Sequence, residues 1–281
     1  MLVRTADLVT AAAIAGRAVA AFNVITVEHA EAIAEGAERA GHPVILQISQ
    51  NAVRYHGGRL GPIAAAMLAV AEASAVPMTV HLDHVTDDDL LHAAPDHGFS
   101  SVMYDASALP YERNVDATLA ASKFAHAHGL WLEAELGRVG GKPDAVLDAH
   151  APDARTDPAE AAAFVTATGV DALAVAVGSV HAMTSRAAAL DHDLIERLHS
   201  ALDVPLVLHG SSGVPDDELV HAVRGGIAKV NIGTALNVAF TGAVRACLTA
   251  DPHGVDPRAY LRAAREAMAT TVASLVSLLM S

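Results

Sequence analysis

The stretch "MTVHLDH", residues 78–84, ends an apolar run and sets His81, Asp83 and His84 within four positions. Imidazole nitrogens bind transition metals and move protons near neutral pH, and a neighbouring carboxylate can act as a base or orient a ring. The triplet also fits two ordinary histidines beside a helix cap, so the decision rests on what other parts of the chain bring to the same place. Asp105 closes "SSVMYD", Glu133 and Glu135 stand in "LWLEAELG", His181 follows "ALAVAVGS", His209 ends "PLVLH" and Asn231 lies in "AKVNIG". Three imidazoles with one open position suit a catalytic zinc. Carboxylates on one strand face would orient the histidines, ligate a second metal position, or form plain salt bridges, since buried acids without a counter-charge are costly.

These residues need a frame to bring them together. Short β-branched apolar runs bounded by Gly, Pro or Asp read as strands at "AVAAFNV", "PVILQIS", "MTVHLDH", "SSVMYD", "LWLEAELG", "ALAVAVGS", "PLVLHG" and "AKVNIG". Helical spacing fills the intervals, with Asp157-Pro158 as a start signal and Gly129 and Gly169 as stops. Strict alternation predicts an α/β fold, a (β/α)8 TIM barrel, as a single domain over residues 1–281 with extra terminal helices. A doubly wound open sheet also alternates, though it more often stops at fewer strands. In a barrel the strand ends converge on one face. Asn23, Gln47, Ser49, Asp83, His84, Asp105, Glu133, Glu135, His181, His209 and Asn231 all fall at or just past such ends.

Of sixteen histidines, most sit in predicted helices or loops as solvated surface. His84, His181 and His209 read as ligands on their placement, against a reading as satisfied core histidines. Side chains alternate along a strand, so His81 and Asp83 share one face and His84 takes the other. Asp83 and His84 both reach a site only if the strand ends between them, which leaves His81 as a reserve ligand. The turns "LHGSSGVPDD" and "VNIGTALN" join a strand to a helix start through glycine, and backbone N–H groups at such turns suit a phosphate. The alternative is that the glycines serve tight turns only. The long "GRVGGKPDAVLDAHAPDARTDP" after strand five reads as a lid.

With 32 acidic and 18 basic side chains the formal charge is -14, which argues against nucleic acid and anionic lipid as partners. A single cysteine, Cys247, allows no intrachain disulfide and fits a reducing compartment. The apolar run "TVASLVSLLM" is about half a bilayer span. A soluble, cytoplasmic protein is the expectation.

The ordered set "AAFN", "HPVIL", "VHLDH", "SSVMYDAS", "EAELGRVGG", "AVAVGSVH", "PLVLHGSSGVPD", "KVNIGT" and "DPRAYLRAA" resembles the class II, zinc-dependent ketose-bisphosphate aldolases, nearly end to end. The resemblance implies that His84, His181 and His209 hold a catalytic Zn2+, and that Asp83 is the acid/base at the substrate's C4 hydroxyl. It further implies an alternative divalent metal position at Asp105 and Glu135. Gly210 and Ser212 would belong to a loop for phosphate and a monovalent cation, Na+ or K+. Asn231, Thr234 and the adjoining Gly233 would meet the dihydroxyacetone-phosphate half, and Asn23 and Ser49 would lie near the far phosphate. Arg258 resembles an arginine lent to a neighbouring subunit, which implies a homo-oligomer, a dimer or tetramer. No Schiff-base lysine is required; of Lys123, Lys142 and Lys229, only Lys229 lies in a barrel strand, at its start and so at the wrong end for catalysis.

The chain departs from the family pattern at four places. Ala182 stands where a glycine usually follows the second ligand histidine, and Ala106 replaces another glycine. Pro143 stands where the lid's proton-transferring glutamate is expected, which leaves Asp144 one residue later to protonate the carbanion. Arg186 stands near a usual phosphate-binding lysine. The expected reaction is reversible cleavage of a ketose 1,6-bisphosphate, fructose slightly ahead of tagatose, to dihydroxyacetone phosphate and glyceraldehyde 3-phosphate. The competing readings are an aldolase for another phosphorylated keto sugar, a sugar-phosphate-binding protein disabled at its lid, and a metal-dependent barrel hydrolase. The last is disfavoured because "AAFNVI" lacks a histidine.

Overall fold

Each of the eight runs read as strands becomes a strand of one sheet. In the computed structural model, which describes residues 1–137 and 155–281, these are β1 (Val19–Asn23), β2 (Val44–Ser49), β3 (Met78–Val85), β4 (Ser101–Tyr104), β5 (Trp131–Leu136), β6 (Ala172–Val175), β7 (Leu206–Leu208) and β8 (Ile227–Ile232). Each pairs in parallel with the next, and β8 returns to β1, so the sheet closes into a barrel. Parallel strands are covered on both faces, which is why these runs carry almost no exposed position. The predicted Asp144, and the Pro143 it was to compensate, lie outside the described residues, as does most of the expected lid.

Helices α2 (Val27–Ala40), α4 (Leu60–Ala73), α6 (Tyr111–Ala127), α7 (Pro158–Thr168), α8 (His192–Ala201), α9 (Asp216–Arg224) and α10 (Thr234–Ala250) surround the barrel. Their ends follow the chemistry read in the sequence. Asp157 accepts from the N–H groups of Ala159 and Glu160 at the start of α7, and Gly169 ends that helix in the left-handed region at φ 65°. The segment read as one helix over 86–98 is instead α5 (Asp88–Ala93) followed by a 3-10 turn, Pro95–His97. Pro95 has no N–H to donate to the helix, and its ring opposes continuation. A short helix after β2, α3 (Gln50–Tyr55), was not anticipated.

Two apolar layers hold the fold. One fills the space between strands and outer helices, with Phe22, Leu46, Leu82, Phe164 and Ile195 fully buried. A smaller one occupies the barrel itself, where Val19, Ala21, Ile45, Ala172, Ala174, Val207 and Ala228 meet Val9 and Ala12 of the N-terminal helix α1 (Thr5–Ile14). Small residues dominate this inner layer, so it closes one end of the barrel and leaves polar residues to fill the other. The last helix, α11 (Pro257–Leu279), packs on α2 and α10. No helix among the described residues is long and apolar enough to cross a membrane.

Candidate active site

At the C-terminal ends of the strands lies a cavity of about 510 Å³, within the size range of small-molecule sites. Asn23, Ser49, Asp83, His84, Asp105, His181, Gly210, Ser212, Asn231, Gly233 and Thr234 all line it. Glu135 and His209 are fully buried in its floor. Arg258 does not line the cavity; it lies exposed at the start of α11, paired with Asp256 at 2.6 Å.

Strand alternation made Asp83 and His84 hard to combine, and the backbone resolves this without ending the strand. β3 continues to Val85, but its register with β4 shifts between Leu82 and Val85, and His84 sits at φ 49°. This bulge turns a side chain that would face outward back over the barrel mouth. His84 then stands 4.8 Å from His209 and 5.3 Å from His181 between ring centroids. His81 stays below, fully buried, with Nδ1 2.8 Å from Ser101 Oγ, and so is not needed as the reserve ligand.

One ligand atom each from His84, Glu135, His181 and His209 lies within 4.8 Å of the others. In a tetrahedral zinc site such atoms stand about 3.4 Å apart, so modest closure of this cluster suffices. The other ring nitrogens of His84 and His209 are already spoken for: His84 Nδ1 lies 3.0 Å from Asp105 Oδ2, and His209 Nε2 lies 2.9 Å from Glu133 Oε1. Those contacts place the ring protons away from the cluster and aim Nε2 of His84 and Nδ1 of His209 into it. The donor set therefore fits a divalent cation of the zinc type. The two carboxylates expected at a second metal position are Asp105 and Glu135. Glu135 joins the donor cluster, whereas Asp105 is occupied in orienting His84, with Ser107 Oγ bridging towards Glu135 at 3.1 Å.

Electrostatics point the same way. Burial alone would keep His209 neutral, but Glu133 and Glu135 pull its pKa up to about 9, which means the surroundings ask for positive charge there. A metal ion supplies that charge in place of the proton. Burial pushes Asp83 towards its neutral form, yet His84, His209, His81 and Lys229 together hold its carboxyl below the usual range. Asp83 is thus an ionised, buried base at the cavity floor. Burial, reinforced by Lys229, lowers His81 to about 3 and leaves it neutral.

The glycine turn after β7 also has a physical reason. Gly210 adopts φ 67°, and a Cβ there would lie 2.7 Å from the Val180 backbone, so a side chain is excluded twice over. Ser212 Oγ accepts from Ala235 N and ties this turn to the start of α10. Arg186 does not serve the cavity: its Nε and Nη2 donate to Val214 O at 2.8 and 2.6 Å, and Nη2 pairs with Asp216.

Two features escaped the reading from sequence. Arg54, on the unanticipated α3, supplies the one permanent cation among the described residues of the lining. Lys229, dismissed as lying at the wrong strand end, is fully buried and reaches Glu133 Oε2 at 2.7 Å and Asn231 Oδ1 at 2.8 Å. A lysine side chain spans about two strand residues, so a backbone at the start of β8 still delivers an ammonium near its end.

Comparison with known proteins agrees with this geometry. The family described as "Fructose-bisphosphate aldolase class-II" matches residues 3–281. A fructose-bisphosphate aldolase of Geobacillus stearothermophilus is 40% identical over 256 residues, covering 91% of this chain and 88% of the relative. The crystal structure of the YdjI aldolase from Escherichia coli K12 superposes with a TM-score of 0.85 at 32% identity, covering 99% of this chain and 97% of that one. A Campylobacter jejuni fructose-bisphosphate aldolase structure, at 24% identity and TM-score 0.82, shares the fold over 99% of this chain and 95% of its own. With a closed barrel, a histidine and glutamate cluster at its mouth and a family match over almost its whole length, this chain belongs to the class II fructose-bisphosphate aldolases, a family of carbon–carbon lyases.

Proposed function

We propose that the protein is a zinc-dependent aldolase that reversibly cleaves a ketose 1,6-bisphosphate, fructose slightly ahead of tagatose, to dihydroxyacetone phosphate and glyceraldehyde 3-phosphate. The observation that carries the reading is the donor cluster of His84, His181, His209 and Glu135, set beside the ionised Asp83 in one cavity. When bound, zinc supplies Lewis acidity at the substrate's C2 carbonyl, which favours departure of the aldehyde. Asp83 takes the C4 hydroxyl proton as the C3–C4 bond breaks, leaving the electron pair on C3. Asp144 of the lid returns a proton to that carbon, in the role of the glutamate lost at Pro143. Backbone N–H groups at the Gly210 turn and at the start of α10, by Gly233 and Thr234, receive the phosphate of the ketone half, with a Na+ or K+ ion neutralising it. Ser49, Asn23 and Arg54 face the far phosphate, which Arg258 of a second copy completes in a homo-oligomer. Asp105 and Glu135 offer the ion a second, deeper position.

Cleavage of fructose and tagatose 1,6-bisphosphates, followed side by side with zinc-loaded and chelator-treated protein, tests the reading. Zinc-dependent cleavage of one isomer is expected, and Asp83→Ala should retain zinc while losing cleavage by at least about a hundredfold. Tight binding of both sugars without cleavage by the zinc-loaded protein would instead favour a binding protein disabled at its lid, a reading that Pro143 supports.

A further inference from the structure

Lys229 is fully buried in a barrel whose reaction needs no lysine nucleophile. A buried ion pair rarely stabilises a fold more than apolar packing would, so its presence calls for another reason. Its geometry supplies one. Lys229 Nζ donates to Glu133 Oε2 and to Asn231 Oδ1, at 2.7 and 2.8 Å. An ammonium has donors only, so it commits the oxygen end of the Asn231 amide and turns the NH2 end the other way. That end lies 3.4 Å from Asp83 Oδ1 and 3.0 Å from His209 Nε2. One oxygen of Glu133 takes the Lys229 ammonium and the other lies 2.9 Å from His209 Nε2, so that ring nitrogen donates to Glu133 and has no lone pair to offer the amide. The amide hydrogens are therefore left to the Asp83 carboxylate and to the cavity above, which Asn231 lines.

We infer that Lys229 is a positioning residue: it locks the Asn231 amide so that its NH2 faces the base Asp83 and an oxygen of the ketone half of the substrate. Were the amide reversed, its oxygen would face the Asp83 carboxylate, acceptor against acceptor, and the substrate would lose a donor. The part concerning substrate rests on the reading above that the cavity cleaves a ketose phosphate; the orientation of the amide does not.

A double-mutant cycle on the zinc-loaded protein tests the inference, using Lys229→Met, Asn231→Ala and their combination. Should Lys229→Met fail to fold because Glu133 is left as a lone buried charge, the same cycle is run in a Glu133→Gln background. The expected result is at least a tenfold loss of kcat in Lys229→Met, with zinc content unchanged and KM within threefold. In the Asn231→Ala background the same change should cost less than twofold, because the amide it positions is gone. Losses that multiply, or full kcat in Lys229→Met, would overturn the proposal. Crystallography of Lys229→Met tests the role independently of the reaction: loss of the contact between Asn231 Nδ2 and Asp83 supports it, and retention of that contact refutes it. If the unaltered protein cleaves no ketose bisphosphate, the proposed reaction falls, and this structural arm still decides for Lys229.

Discussion

Arg54 is the only arginine or lysine among the described lining residues, so an anionic group at that end of the cavity has one side chain of fixed charge to meet. Hydrogen bonds from a guanidinium to a phosphate contribute about 1.5–3 kcal/mol, a factor of ten to a hundred in affinity. Arg54→Ala should therefore raise KM for the bisphosphate at least tenfold and leave kcat nearly unchanged. In the condensation direction its use of glyceraldehyde without a phosphate should not change; equal losses for both aldehydes, in steady-state assays, would remove Arg54 from the far subsite. Arg54 was legible only in hindsight. The stretch "QNAVRY" gives a Ser49-capped helix, but six residues are too few for helical periodicity to declare itself. The three histidines proposed as ligands were legible because each stands at or past the close of an apolar run, which glycine and aspartate mark locally.

At the scale of elements, the two non-glycine residues with positive φ among those described are His84 and Ala182, and both line the cavity. Residues held in that region cost about 1–3 kcal/mol each and tend to mark functional sites. His84 repays the strain by entering the donor cluster. Ala182, at φ 60° in the connection from β6 to α8, gains nothing comparable, because its methyl group has no ligand atom to offer. Ala182→Gly should stabilise the protein by about 1 kcal/mol, seen as a rise of about 2–4 °C in Tm by calorimetry. An unchanged or lower Tm would mean that the methyl packs well enough to offset its backbone. Strand β6 also shows how far local pattern reaches: "ALAVAVGS" reads as eight residues of strand, yet pairing ends at Val175. Beyond that point the chain leaves β7 to build the loop that carries His181.

For the whole molecule, the buried titratable groups set opposite limits on stability. His81 is lowered to about 3 by burial and Lys229, and burial also lowers His29, whereas both titrate near 6.5 when unfolded. Below pH 6.5 the unfolded chain takes up protons that the folded one refuses, so stability falls, by about 1.4 kcal/mol per pH unit for His81 and in the same direction for His29. His209 acts in the other direction. Its folded pKa of about 9 in the absence of metal gives stability that is complete below pH 6.5 and is lost as the pH rises towards 9. The metal-free protein should thus be most stable near pH 6.5 in denaturant titrations. Zinc, by replacing the second proton on His209, should abolish the alkaline decline; a decline that survives zinc loading would show that the metal does not reach this ring.

Local pattern determined the alternation of strands and helices, hence the barrel, and it placed His84, His181, His209, Asp83 and Asn231 at one end of it. That much is readable because burial on both faces and helix capping act over a few residues. Only the closed barrel decided which groups touch. Glu133 meets His209 across 76 positions and Lys229 across 96, contacts that no local period can encode. Two departures from regular pairing settled the rest. The bulge at His84 let neighbouring residues share one site, and the register shift between β7 and β8 left Ala228 in the inner layer while Lys229 reached Glu133. Such irregularities arise from the need to close eight twisted strands around a filled interior, a condition that exists only once the whole chain has folded.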